Sequence, residues 1–336
     1  MIQAQPISRQ APRWQHALRE AFTRPAELLA WLELDPALPQ LDLPGLRDFP
    51  LRVPRGFAAR MRKGDPLDPL FLQVWPAARE AETVPGFVAD AVGDMDSAQG
   101  DGVLHKYQGR ALLITTGACA VHCRYCFRRH FPYSESLAAR GHWQPALDRL
   151  AADPSITEAI LSGGDPFSLS DERLAELFEG LAGIPHLRRV RVHTRQPIVL
   201  PERIDAGLLK ILRSVSLDKV MVVHANHAQE LTGDVPQALA DLRTNGWMLL
   251  NQSVLLRGIN DTTNALQGLH ERLFSLGILP YYLHLLDRVK GAAHFEVPEH
   301  RARELMRDLS SISPGYLVPR LAREVPGDPA KAWLSW

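Results

Sequence analysis

Three cysteines, Cys119, Cys123 and Cys126, are the only ones in the 336-residue chain, and they form a C-x3-C-x2-C cluster. Thiolates are soft ligands that suit iron–sulfur clusters or zinc. A closed metal site takes four ligands, and three cysteines cannot complete one. Two assemblies stay open at this point. One is a cubane held by three thiolates, with one iron left free for a small molecule. The other is a Cys3His zinc site completed by His122 or His130. Further polar residues capable of chemistry fall in short clusters: Ser162-Gly163-Gly164-Asp165, His193-Thr194-Arg195, His224-Ala225-Asn226 and Asp287.

Each cluster follows a short apolar or β-branched run. The runs Ala111–Thr115, Glu158–Ser162, Val190–Thr194, Val220–His224, Met248–Leu255 and Leu279–Leu285 read as strands. Helical patterns alternate with them at Gln144–Ala152, Asp171–Leu181, Glu202–Val215, Pro236–Asn245, Thr262–Leu276 and Pro298–Leu309. Such alternation predicts a parallel sheet with crossover helices. Sites in α/β barrels sit at the carboxyl ends of strands, where the polar clusters fall. The expected fold is therefore α/β, a partial (β/α)6 barrel. A doubly wound open sheet is the rival, because spacing alone does not show how the sheet closes.

The first hundred residues differ. Trp14–Ala21, Pro25–Leu34 and Arg55–Lys63 read as short helices separated by proline-rich joints (Pro36, Pro39, Pro44, Pro66, Pro69). The expected organisation is a helical N-terminal extension over 1–100, the barrel over 101–325 and a C-terminal tail over 326–336.

Composition excludes several classes. Apolar residues make up 46% and charged residues 23%, as in a packed globular protein. Thirty-eight basic residues balance 38 acidic ones, so no bulk affinity for nucleic acid or membrane is expected. No apolar run is long enough to span a bilayer, and Met1–Pro6 carries no signal-peptide pattern; the expected location is cytoplasmic. Only six of the basic residues are lysines: Lys63, Lys106, Lys210, Lys219, Lys290 and Lys331.

The cysteine spacing, with Tyr125 just before the last cysteine, resembles the signature of the radical S-adenosylmethionine (SAM) superfamily. Leu161-Ser162-Gly163-Gly164-Asp165-Pro166 sits where that superfamily keeps a glycine-rich turn. Residues from about Leu51 to Lys331 further resemble the lysine 2,3-aminomutase family. The carrying stretches are Arg124–Phe131, Arg195–Pro201, Asn251–Asp261 and Pro280–Tyr282. The resemblance implies a [4Fe–4S] cluster on Cys119, Cys123 and Cys126. It also implies SAM on the open iron and pyridoxal phosphate (PLP) as a second cofactor.

The family's PLP lysine follows a proline-glycine loop near the chain end. Here that loop is Glu324–Lys331, so Lys331 is implied as the Schiff-base lysine, although Asp328, Pro329 and Ala330 depart from the glycine-rich pattern. The phosphate ligands implied are Lys106, Tyr107 and Arg110, with lysine where arginine is usual. Other cofactor contacts fall to Tyr125, Ser162, Gly163, Gly164, Asp165, His193, Arg195 and Gln252. Arg128 is implied to clamp the substrate carboxylate through a bidentate fork. Asp287 and Glu324 are implied to bind the ε-ammonium of L-lysine, with glutamate standing where the family has a second aspartate.

The implied activity is isomerisation of L-α-lysine to β-lysine. The short chain end, Glu324 and Tyr282–Asp287 resemble the branch that includes the bacterial elongation factor P β-lysylation aminomutase. That branch implies an (R) product and a functional link to elongation factor P and its lysyl ligase. The electron source implied is flavodoxin or ferredoxin. Two alternatives remain: a radical SAM aminomutase for another amino acid, and a non-catalytic iron–sulfur partner-binding protein.

Overall fold

Along one short run, Val190 and Val192 are buried while Arg191 and His193 keep partial exposure. That period of two gives a strand one face for the helices and one for the interior. The same alternation places Leu161, Leu249 and Leu283 among the buried apolar residues. The computed structural model describes residues 12–38, 49–97, 101–134, 137–138 and 143–336. Pro39, Pro44 and the six N-terminal residues read above lie outside the described residues.

Nine strands form one sheet: β1 (Val103–Tyr107), β2 (Arg110–Thr116), β3 (Glu158–Gly163), β4 (Arg189–Thr194), β5 (Asp218–Val223), β6 (Met248–Val254), β7 (Leu279–His284), β8 (Arg320–Arg323) and β9 (Ala332–Trp333). From β2 to β8 every pair is parallel. β1 and β9 add antiparallel edges. The order in space is the order in sequence. A doubly wound sheet reverses direction at a switch point, so that rival is excluded and the partial barrel stands.

The strands β1, β8 and β9 escaped the sequence reading. β1 and β8 are short and rich in basic or polar residues, and β9 is only two residues long, so there is little alternation to detect.

The main crossover helices follow from capped, amphipathic segments. Ser170 accepts from the Arg173 N–H, Asp205 from Leu208 and Thr262 from Ala265 at the starts of Asp171–Ala182, Ala206–Ser214 and Thr263–Ser275. In the N-terminal segment the helices are shorter than the patterns implied: Arg13–Arg19, Pro25–Leu32 and Arg55–Ala58. Trp14, Leu28, Phe57 and Phe71 of this segment share one apolar core with Leu161 and Val192 of the barrel.

The interior face carries Ser162, His193, Gln252 and His284 rather than the branched aliphatics that fill a closed eight-stranded barrel. Near the strand starts, Glu158 on β3 and Arg191 on β4 form an ion pair at 2.8 Å. The ladder ends at β1 and β9, and a side-chain contact spans the opening: the Tyr107 hydroxyl donates to Glu324, just past β8.

The turn after β3 packs hard against the start of the cysteine loop. Gly163 has φ +115°, which disfavours any other residue. A Cβ on Gly164 would lie 2.4 Å from the Ala118 carbonyl oxygen. Gly164→Ala is therefore expected to destabilise the protein by roughly 1–3 kcal/mol through overpacking. Urea unfolding of the two proteins checks this; an unchanged midpoint would contradict the packing argument.

Candidate active site

The cysteine loop leaves the carboxyl end of β2 and is held from outside by the N-terminal segment. The His122 N–H donates to the Arg52 carbonyl at 3.1 Å and the Arg124 N–H to the Gln73 carbonyl at 2.9 Å. Glu80, itself in that segment, pairs with both Arg124 and Arg129. From inside, the Gly164 and Asp165 N–H groups donate to the Thr116 and Ala118 carbonyls at 2.6 and 2.8 Å.

All three thiols are partly exposed. Burial pushes the Cys126 thiol up to about 11, with Cys123 as the next cause. Cys119 is raised further, by burial, then by Cys126 and Asp165. The sulfurs thus sense one another, and as thiolates they would repel without a cation between them. Arg195 Nη1 donates to Cys123 Sγ at 2.7 Å, adding positive charge beside the sulfurs. The donor set fits an iron–sulfur cluster, in which each thiolate takes its own iron. The zinc alternative would need His122 or His130 as a fourth ligand to one shared ion. His122 Nδ1 contacts the Pro50 carbonyl at 2.7 Å and His130 Nε2 the Lys290 carbonyl at 3.1 Å. Among the described residues, no three His, Cys, Asp or Glu side chains converge to share one ion.

Arg195 and Tyr125, both read as cofactor contacts, meet in a buried polar network. Arg195 Nη1 donates to the Tyr125 hydroxyl at 2.7 Å, and Nη2 to Gln73 at 2.6 Å and Glu230 at 2.8 Å. Asn226 donates to the same hydroxyl at 2.7 Å. Burial raises Tyr125 far above its ordinary value; Arg195 acts against it, and the like charges of Cys123 and Glu230 add to it. Asp165 is a brace. Its carboxylate accepts from the Phe167, Arg195 and Gln196 N–H groups and the Thr194 hydroxyl, all between 2.7 and 3.1 Å. Both oxygens are thus engaged by protein, which ties the β3 loop to the β4 loop.

Deeper in the barrel the read substrate and second-cofactor residues gather around three carboxylates. Arg128 Nε donates to Asp94 at 2.7 Å and Nη1 to Ser162 Oγ at 3.1 Å. Lys106 Nζ pairs with the other Asp94 oxygen at 2.5 Å. Burial acts to raise Asp94, but Arg128 and Lys106 outweigh it and hold the carboxyl below its usual range. Glu324 accepts from both Tyr107 and Lys331. Arg110 stacks over the Tyr107 ring at 4.7 Å. The three residues read as phosphate ligands therefore do not converge on one point: Lys106 turns to Asp94, Tyr107 to Glu324, and Arg110 covers Tyr107. Asp287 is raised to about 7 by burial, against the opposing charge of Lys331.

The interior wall is neutral imidazole. Burial, then Arg195, lowers His224 to about 3. His193 and His284 are lowered further, burial again dominating, and both sense the charge of Lys331. Gln252 contacts His224 at 3.1 Å. The Nε2 atom of His193 is buried without a partner. A buried polar atom without a partner is costly, and this one lies within electrostatic reach of Lys331 and Arg128.

Sequence reasoning missed Asp94, Gln73 and Glu230, because each lies far along the chain from the partners that give it meaning. It had marked Asn251–Asp261 without assigning its residues. Asn251 exchanges hydrogen bonds with the Ala225 backbone, and Asn260 with the Leu256, Asn226 and Val254 backbone. The stretch pins the β5 and β6 loops together.

A singly wound partial barrel with a three-cysteine loop after its first parallel strand defines the radical SAM class of enzymes. L-lysine 2,3-aminomutase of Escherichia coli (strain K12) is 47% identical over 323 residues, 96% of this chain and 94% of that relative. The protein of the same description in Haemophilus influenzae is 43% identical over 331 residues, 98% of each chain. That of Clostridium subterminale is 33% identical over 268 residues, 80% of this chain and 64% of the relative. Among solved structures, a radical SAM methyltransferase from Sphaerobacter thermophilus aligns over 66% of this chain and 68% of its own, at 18% identity and TM-score 0.48. No family model matches the chain. The chain belongs to the lysine 2,3-aminomutase family of radical SAM isomerases. Membership brings with it a [4Fe–4S] cluster and SAM. Among the described residues, no helix is long and apolar enough to cross a membrane.

The Arg195–Glu230 pair is buried beside Cys123 and shares its partners with Gln73 and Tyr125. Glu230→Gln leaves the guanidinium without its counter-charge, and a loss of about 3–5 kcal/mol is expected. Chemical denaturation monitored by tryptophan fluorescence measures it; a loss below about 1 kcal/mol would show the pair to be peripheral.

Proposed function

We propose that the protein isomerises L-α-lysine to β-lysine, using the cluster, SAM and PLP. The observation that carries this reading is the charge pattern of the interior. It holds a buried guanidinium, Arg128, braced on Asp94, and two further carboxylates, Glu324 on Lys331 and Asp287 within electrostatic reach of that lysine. An amino acid with a cationic side chain presents the complementary pattern: an anionic group at one end and an ammonium at the other. Two carboxylates would repel an acidic side chain and would leave an aliphatic one with unpaired charges.

Lys331 is the residue that would hold PLP; Lys106, Tyr107 and Arg110 would reach its phosphate only by exchanging partners, since Lys106 pairs with Asp94 and Tyr107 with Glu324. PLP, held at rest by Lys331 and passed from it to the substrate amine with release of the Lys331 amine, would supply a carbon that carries the migrating nitrogen and a π-system that spreads the unpaired electron. The chain's own residues orient and shield. Arg128 presents its planar fork to the α-carboxylate. Asp287 and Glu324 hold the ε-ammonium. His193, His224 and His284, all neutral, line the wall without adding charge. The N-terminal segment and the barrel exclude water from the radical intermediates.

The (R) isomer, and delivery of the product to elongation factor P through its lysyl ligase, complete the reading. They rest on the likeness of Tyr282–Asp287 to that bacterial branch and on Glu324. Flavodoxin or ferredoxin would supply the electron. Cytoplasmic location follows from those partners.

The test is anaerobic incubation of reconstituted protein with SAM, PLP, reductant and single amino acids, with products separated on a chiral column. (R)-β-lysine formed from L-lysine alone is expected; turnover of another amino acid in preference to lysine would refute the substrate. Lys331→Ala is expected to abolish the yellow PLP–lysine band; its persistence would move the Schiff base to another lysine.

Asp287 must be ionised to pair with an ammonium. Its value near 7 means the charge is present above that pH and lost below it. The kcat/KM for lysine is therefore expected to rise with pH through about 7, and Asp287→Asn to flatten that limb while lowering the plateau by tenfold or more. A limb unchanged in Asp287→Asn would assign the titration elsewhere.

A further inference from the structure

Asp94 stands outside the barrel strands and the cysteine loop. It opens the short helix Asp94–Ser97 and is 3% exposed. Its position is itself fixed. Asp90 accepts from the Asp94 N–H at 3.0 Å and the Met95 N–H at 2.7 Å, which sets the turn that delivers the carboxylate. The two Asp94 oxygens then divide between two cations, Arg128 at 2.7 Å and Lys106 at 2.5 Å.

The guanidinium of Arg128 is constrained on every side but one. Nε donates to Asp94, Nη1 donates to Ser162, and the group stacks over the Phe127 ring at 4.8 Å. Among the described residues, Nη2 has no hydrogen-bond partner. A guanidinium recognises a carboxylate through a planar fork whose direction must be set in advance. Asp94 occupies the Nε edge, so the end defined by the two Nη atoms is left for a ligand. Lys106 has a second anchor, the Val92 carbonyl at 2.6 Å, which keeps its ammonium on the far side of Asp94 from Arg128.

We propose that Asp94 is the positioning residue for recognition of the substrate carboxylate. It aims the Arg128 fork, and it separates Arg128 from Lys106 so that one anion cannot bridge both. This rests on the reading of Arg128 as the carboxylate clamp. A purely structural ion triad, tying the N-terminal segment to the barrel, is the competing account.

The experiment uses the reconstituted holoenzyme and two ligands, L-lysine and cadaverine. Cadaverine keeps the terminal ammonium and lacks the carboxylate. Asp94→Asn is expected to raise the KM for lysine by about tenfold or more, while the inhibition constant of cadaverine stays within about twofold, since it makes no use of the fork. Asp94→Glu, which keeps the charge, is expected to recover part of the loss. Should Asp94→Asn fail to fold, Asp94→Glu carries the same comparison and must show the same selective effect at smaller size.

Equal weakening of lysine and cadaverine would overturn the proposal in favour of a structural triad. So would an unchanged lysine KM in Asp94→Asn when Arg128→Ala weakens lysine strongly. If Arg128→Ala leaves lysine binding intact, the clamp reading itself fails, and that arm separates the two failures.

Discussion

The sheet adds every strand on the same side and then stops before closing. Backbone hydrogen bonds run without interruption from β1 to β9, and a side-chain contact, Tyr107 to Glu324, spans the remaining opening. Most of the site follows from that constraint. A closed small barrel must fill its interior with side chains. An open one can leave the interior polar, and here it holds histidines, a glutamine and a serine. The opening also explains how residues from the two ends of the barrel domain meet. β1 and β9 form the two edges, and the loop between β8 and β9 brings Glu324 and Lys331 beside Tyr107.

Charge inside that interior is balanced locally. Arg128 and Lys106 share Asp94, Lys331 and Tyr107 share Glu324, and Asp287 is left, among the described residues, without a direct cation. Burial then decides its state, and its value near 7 leaves it poised between neutral and charged. The histidines resolve the same pressure by giving up their protons. An interior built from paired ions and neutral imidazoles has capacity for a zwitterion, because each new charge finds an opposite one close by in a low-dielectric setting.

The cysteine loop is held by a different means. It carries little regular structure, yet it is gripped by backbone contacts on both sides: the N-terminal segment outside, the glycine turn within. Gly163 and Gly164 matter here because the two backbones touch. Asp165 and Arg195 extend the brace from the β3 loop to the β4 loop and on to Cys123 and Glu230. Residues that read as cofactor contacts in sequence are thus also the framework that keeps three sulfurs within electrostatic reach of one another.

Much of this was legible in the chain alone. The cysteine spacing, the six βα units and their polar loop clusters depend on local periodicity, and periodicity is a property of contiguous residues. Arg128, Asp287 and Lys331, read from the family resemblance, come within electrostatic reach of one interior. What the sequence could not show was every pairing across distance. Strand order, which excluded the doubly wound sheet, depends on which strands meet. The split of the phosphate trio, with Lys106 on Asp94 and Tyr107 on Glu324, depends on side chains brought together from separate loops. Asp94, Gln73 and Glu230 are unremarkable in their local sequence and acquire roles from neighbours tens to hundreds of residues away. Residue type and spacing set the chemistry available to this chain; only the folded backbone decides which charges are near enough to act on one another.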